Sequence, residues 1–100
     1  MREVFGPAGT APPASAVKSM LGHTLAASGA VELTACLMAL ERGVLAPTVN
    51  LRERDPDCDL DYVANEPRAA TVRHVLKSSF GFGGQNACLV LSAWDRGSAA

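Results

Sequence analysis

The long apolar stretch from Gly22 to Leu40 constrains this chain more than any other. Leu25, Ala26, Ala30, Val31, Leu33, Leu37, Met38 and Leu40 follow one another so closely that a helix formed here has little polar face. Thr24 is a candidate N-cap, and Gly43 supplies a stop just after Glu41 and Arg42. The pattern therefore predicts a helix from about Thr24 to Arg42. Its length invites a membrane reading, but His23, Glu32 and the lack of a flanking aromatic or basic belt speak against a span. A helix apolar nearly all round is more simply one buried within a larger protein. Gly29 and the alanines would let a neighbouring element approach its backbone closely.

One hundred residues allow one domain at most, and a chain that is 48% hydrophobic and 19% charged is too apolar to stay disordered. A net charge of -1 gives no electrostatic case for nucleic acid or an anionic membrane. Cys36, Cys58 and Cys88 are an odd number without metal-like spacing, so a reduced, cytoplasmic setting is expected, with Cys36 and Cys88 as small buried hydrophobes. No apolar signal segment opens the chain.

Met1–Phe5 and Ala16–Ser19 are short strand candidates, the latter buried, separated by a Gly/Pro/Ala loop. Leu45–Leu51 is extended because Pro47 keeps its predecessor out of the helical region. Arg52–Asp59 is a charged loop, Leu60–Ala64 a strand and Glu66–Ala70 a turn. Val72–Phe80 and Ala87–Ala93 read as an antiparallel hairpin closed by the glycine-rich residues 81–86, with Cys88–Leu91 apolar enough to be buried on both faces. Residues 94–100 form a frayed tail. The expected fold class is α/β, a layered but incomplete arrangement of one long buried helix and a small mixed sheet ending in a hairpin.

Two places could carry chemistry. His23 lies at the expected helix start, five residues after Lys18. A neutral imidazole can donate a hydrogen bond to a carbonyl oxygen that is gaining charge, and Lys18 could add positive charge or anchor a carboxylate. The bland alternative is a capping histidine and a surface lysine. The loop around Phe82, framed by Gly81 and Gly83, offers backbone N–H groups that could form an oxyanion hole, and its ring could swing as a gate. It lacks the Lys-Ser/Thr ending of a phosphate loop, and a plain turn is its bland alternative. Asp55, Asp57, Asp59 and Asp61 alternate, but the glycine and glutamate of a calcium loop are missing, so a solvated loop is preferred and no metal is expected. Ser19 and His23 could be written as a pair, though no third orienting group is evident, and His74 reads as structural or surface.

With these stretches in view the chain resembles the C-terminal part of a β-ketoacyl-[acyl-carrier-protein] synthase of the thiolase superfamily. The match is carried by Val17-Lys18-Ser19-Met20-Leu21-Gly22-His23, Ala26-Ala27-Ser28-Gly29-Ala30 and Pro47-Thr48-Val49-Asn50-Leu51. It continues through Cys58-Asp59-Leu60-Asp61-Tyr62-Val63 and ends with Ser79-Phe80-Gly81-Phe82-Gly83-Gly84-Gln85-Asn86. The last motif looks like that of elongating synthases in dissociated fatty-acid systems, with dissociated polyketide synthases as the alternative.

The resemblance implies a decarboxylative Claisen condensation of malonyl-acyl carrier protein with an acyl thioester. His23 would stabilise the enolate, Lys18 would support the site's charge, and the Phe82 N–H, in the Gly81–Gly83 loop, would belong to the oxyanion hole. It implies no metal or organic cofactor, acyl carrier protein as partner, and a homodimer for the complete enzyme. The family's nucleophilic cysteine and first catalytic histidine sit in motifs that do not occur here, so residues 1–100, a partial thiolase-like domain, are expected to be inactive alone. With Met1 just before the resemblance, a truncated or split reading frame, or a fragmentary gene model, is the expectation, and a non-catalytic interaction module is the further alternative.

Overall fold

The computed structural model describes residues 1–94, and the chain folds as two compact units. The first is Met1–His23 with Leu45–Ala69, and the second is Thr24–Val44 with the chain from Ala70 onward. The tail reading for 94–100 lies, Trp94 apart, outside the described residues.

In the first unit an extended segment, 61–65, runs between two neighbours. Ala14 N–H donates to Asp61 O (2.8 Å) and Val63 N–H to Ala14 O (3.0 Å), while Thr48 N–H donates to Val63 O (2.6 Å) and Asn65 N–H to Thr48 O (2.9 Å). The bridges Ala14–Tyr62 and Thr48–Ala64 are both parallel. Val63, in the middle, is 1% exposed and forms the core of this unit with Val17 and Ala11. The strand expected at Leu60–Ala64 is thus extended chain held by single bridges, because each neighbour runs beside it for only a residue or so.

Three segments differ from the sequence expectation. Arg2–Phe5 is a helical turn, α1, in place of a strand, closed by Phe5 N–H to Met1 O at 2.8 Å. Short apolar runs do not separate the two states by periodicity, and Glu3 in the first turn favours the helix. Lys18–Leu21 is also a helical turn, α2, where a buried strand was expected over Ala16–Ser19, and of those residues only Val17 is buried. Arg68–Ala69 is a strand, β2, within the expected turn, and it pairs with Val44–Leu45, β1, where the chain passes between units.

The second unit holds helix α3, Ser28–Arg42, preceded by a 3-10 turn at Leu25–Ala27. Thr24 does not cap it by a side-chain hydrogen bond; its hydroxyl lies 3.3 Å from that of Ser28. Gly43 ends α3 as expected. It is left-handed (φ 63°, ψ 37°), and its N–H returns to Ala39 O at 3.0 Å. Strands β3, His74–Phe80, and β4, Asn86–Ser92, form the expected antiparallel hairpin, with Lys77 opposite Leu89 and Phe80 opposite Asn86.

Burial is where the sequence reading departs most from the structure. Only Ser28 and Ala39 of α3 are buried, and Leu37 and Met38 are exposed, so the long buried helix is corrected to a half-buried one. Cys36 is half-buried and Cys88 exposed, and Val90 in the run expected to be covered on both faces is 71% exposed. The residues have the composition of an interior, but this unit supplies α3 and one hairpin with which to cover them. The expected mixed sheet is two separate two-stranded ladders. Among the described residues no helix is long and apolar enough to cross a membrane.

Candidate active-site elements

The Lys18–His23 turn is fastened to the first unit by two hydroxyls. Ser19 Oγ donates to Ala16 O (2.9 Å) and accepts from Val49 N–H (2.9 Å), while Thr48 Oγ1 accepts from Ala16 N–H (2.9 Å). Ser15 Oγ adds a bond to Ala46 O. Ser19 is therefore a tie between segments, its hydroxyl engaged by Ala16 O and Val49 N–H and not set up as a nucleophile. Within the turn, Gly22 N–H closes on Lys18 O at 2.9 Å. Gly22 then leaves α2 with φ 75° and ψ -179°, a region open in practice only to glycine. That single residue sets the direction in which His23 departs.

Lys18 and His23 are both exposed. Lys18 is the first residue of α2, not the strand residue expected, and His23 is not at the start of α3, which begins at Ser28. The structure brings these two to either end of one short turn in the first unit.

Phe82, Gly81 and Gly83 belong to the second unit, in the loop that joins β3 to β4. Gly81 N–H donates to Gln85 O at 2.7 Å and closes the loop at its root. Gly83 and Gly84 have φ +88° and +82°, and no atom lies within 4 Å of a Cβ built on either. Phe82 projects from this tip with its side chain fully solvated, at 105% relative exposure. The glycine pair is thus required by conformation rather than by crowding, and it leaves the backbone at the tip uncovered.

Sequence reasoning missed a third feature. Lys77, in the middle of β3, is 8% exposed, and its Nζ lies 3.1 Å from Glu32 Oε2 of α3, itself 15% exposed. The same ammonium donates to Ser79 Oγ. The available signal was the alternation Val75, Lys77, Ser79, which puts a lysine on the face of β3 that also carries its half-buried residues. Burial pushes the neighbouring Cys36 thiol above the ordinary value, with Lys77 pulling it partly back.

The aspartate run resolves into separate local roles. Asp55 caps the 3-10 turn Pro56–Cys58 through Asp57 N–H at 2.9 Å. Asp61 takes a bidentate pair from Arg68 at 2.7 and 2.9 Å, and that hydrogen bonding holds its carboxyl below the usual range. Among the described residues no group of three or more His, Cys, Asp or Glu is placed to hold a metal ion.

These elements can be set beside known proteins. The family model described as "Beta-ketoacyl synthase, C-terminal domain" matches residues 1–52. The tetracenomycin polyketide synthase ketoacyl synthase alpha subunit of Streptomyces glaucescens is 51% identical over 80 residues, which is 80% of this chain and 19% of that protein. Among solved structures, the ishigamide ketosynthase/chain length factor superposes with a TM-score of 0.89 at 46% identity, over 94% of this chain and 23% of the other. A second, titled as a type II polyketide synthase acyl-carrier protein in complex with its ketosynthase bound to the hexaketide, gives 0.82 at 40% identity, over 85% and 21%. The chain thus spans about a fifth of the length of the proteins it matches. Its structural neighbours are thiolase-like ketosynthases, as the resemblance implied. The relatives favour the polyketide alternative over fatty-acid elongation. By the family match and these relatives, the chain belongs to the β-ketoacyl synthase family and corresponds to its C-terminal region.

Proposed function

We propose that this chain is the C-terminal part of a ketosynthase of the dissociated polyketide type, acting on malonyl and acyl thioesters carried by an acyl carrier protein. The observation that carries the reading is the 51% identity to a polyketide ketoacyl synthase over 80% of the chain. In the reaction the malonyl C–C bond to the carboxylate breaks and carbon dioxide leaves. The electron pair remains on the thioester as an enolate, whose oxygen accepts a hydrogen bond from His23. The enolate carbon then attacks the acyl thioester on the complete enzyme's cysteine, and that thiolate leaves. The developing oxyanion takes a hydrogen bond from the Phe82 N–H. Lys18 supplies positive charge on the His23 turn. Cys36 on α3 and Cys88 on β4 are not placed as nucleophiles: neither belongs to the His23 turn or to the Phe82 loop, and burial raises the Cys36 thiol.

The test is a condensation assay with acyl- and malonyl-acyl carrier protein, run on the 100-residue chain and on a complete synthase carrying this segment. Product from the complete synthase alone, with a fall of roughly a hundredfold or more in kcat on His23→Ala, is the expected result. Turnover by the 100 residues, or an unchanged rate in His23→Ala, overturns it.

A further inference from the structure

Lys77 is costly to bury. An ammonium that is 8% exposed has lost its water, and an apolar side chain of similar volume would fill the same space without that loss. It is compensated by Glu32 at 3.1 Å and by the Ser79 hydroxyl, both within this unit. A pair of this kind adds little to stability over an apolar replacement, and its best-attested use is to fix one arrangement among several.

The arrangement at stake is the seat of β3 on α3. The face of β3 that carries Val75, Lys77 and Ser79 offers one apolar side chain, whereas the opposite, exposed face carries the larger apolar pair Leu76 and Phe80 beside His74 and Ser78. Hydrophobic pattern alone would favour turning this strand over, since a one-residue slip exchanges its two faces. The charge pair opposes that slip, because a slipped strand would place the Lys77 head away from Glu32. Three residues after Lys77 the strand ends, and Gly81 N–H to Gln85 O closes the loop that bears Phe82.

We propose that Lys77 is a positioning residue: through Glu32 and Ser79 it locks β3 on α3 and thereby fixes the height of the Phe82 loop. This rests on the proposed ketosynthase reading only in naming the loop's purpose. The mechanical link is a property of the second unit alone.

The experiment has two arms. In the 100-residue chain, amide hydrogen exchange is followed at Gly81, at the loop root, and at Gly43, at the far end of α3. Lys77→Met is expected to raise exchange at Gly81 about tenfold or more while leaving Gly43 within about threefold. Lys77→Arg, which keeps the charge, is expected to recover most of the protection. In a complete synthase carrying this segment, Lys77→Met is expected to lower kcat about tenfold or more with KM for the malonyl thioester unchanged within about twofold, and Lys77→Arg to restore most of it.

Equal loosening at Gly81 and Gly43, or wild-type exchange at both, overturns the proposal, as does a fall in activity confined to KM. Should Lys77→Met fail to fold, Glu32→Gln, which breaks the charge pair from the other side, is read in the same way at Gly81 and Gly43. An unchanged rate in His23→Ala together with a selective rise at Gly81 would sink the ketosynthase reading and leave the lock in place.

Discussion

Replacing Gly22 by alanine tests whether one backbone torsion directs His23. At φ 75° and ψ -179° an L-residue is strained, and no atom lies within 4 Å of the added Cβ, so the cost is purely conformational. It amounts to about 1–3 kcal/mol, or roughly 5- to 150-fold in a two-state population. Gly29 is the natural control. Its Cβ also meets nothing within 4 Å, but it lies in the first turn of α3 with ordinary helical torsions, so alanine there stabilises by up to about 0.5–1 kcal/mol. Urea unfolding of the 100-residue chain, followed by circular dichroism, should show Gly22→Ala with a midpoint about 1–2 M lower and Gly29→Ala at or above the parent. D-Alanine at position 22, introduced by ligation, fits the same torsions and should restore the midpoint. Midpoints for Gly22→Ala and the parent that agree within about 0.3 M would refute the reasoning, since the turn would then leave this conformation at no cost.

Two further outcomes are expected. Arg68→Gln should raise the Asp61 pKa toward the ordinary carboxylate value in an NMR titration. Because the folded value lies below the unfolded one, the pair's contribution is complete above about pH 4 and is lost as the pH falls through the folded value; a titration unmoved by Arg68→Gln refutes the assignment. Alkylation near neutral pH, read by mass spectrometry, should modify exposed Cys58 and Cys88 well before Cys36, whose thiol is half-buried and raised by burial. Equal rates would show that α3 opens freely.

Much of this architecture was legible from residues alone, and what was legible was local. Gly43 marked the end of α3 because a left-handed cap needs glycine, and the hairpin followed from two apolar runs around a glycine loop. The glycine loop around Phe82 was legible as the tip of that hairpin, whereas His23, expected at the start of the long helix, follows a separate helical turn and α3 begins only at Ser28. The misreadings arose where a long-range partner decides the outcome. Arg2–Phe5 and Lys18–Leu21 are too short for periodicity to speak, and each closes into a helical turn of its own. Cys88, Val90 and Leu37 read as interior because they are apolar, yet burial depends on what lies opposite. Lys77 went unnoticed for the converse reason: a lysine in a strand reads as surface until Glu32, 45 positions earlier, is found beside it.

The hydroxyl bonds of Ser19 and Thr48 also bear on protein engineering. They make the Lys18–His23 turn a two-piece part, since its second half, Pro47–Asn50, lies some thirty residues further along the chain. A designer who grafts Lys-Ser-Met-Leu-Gly-His into a new scaffold as a contiguous loop would leave Ser19 Oγ without the Val49 N–H that donates to it and without the Ala16 carbonyl that accepts from it. A transplant that keeps the turn's shape must carry both pieces in register, and a library that randomises one must hold the other fixed.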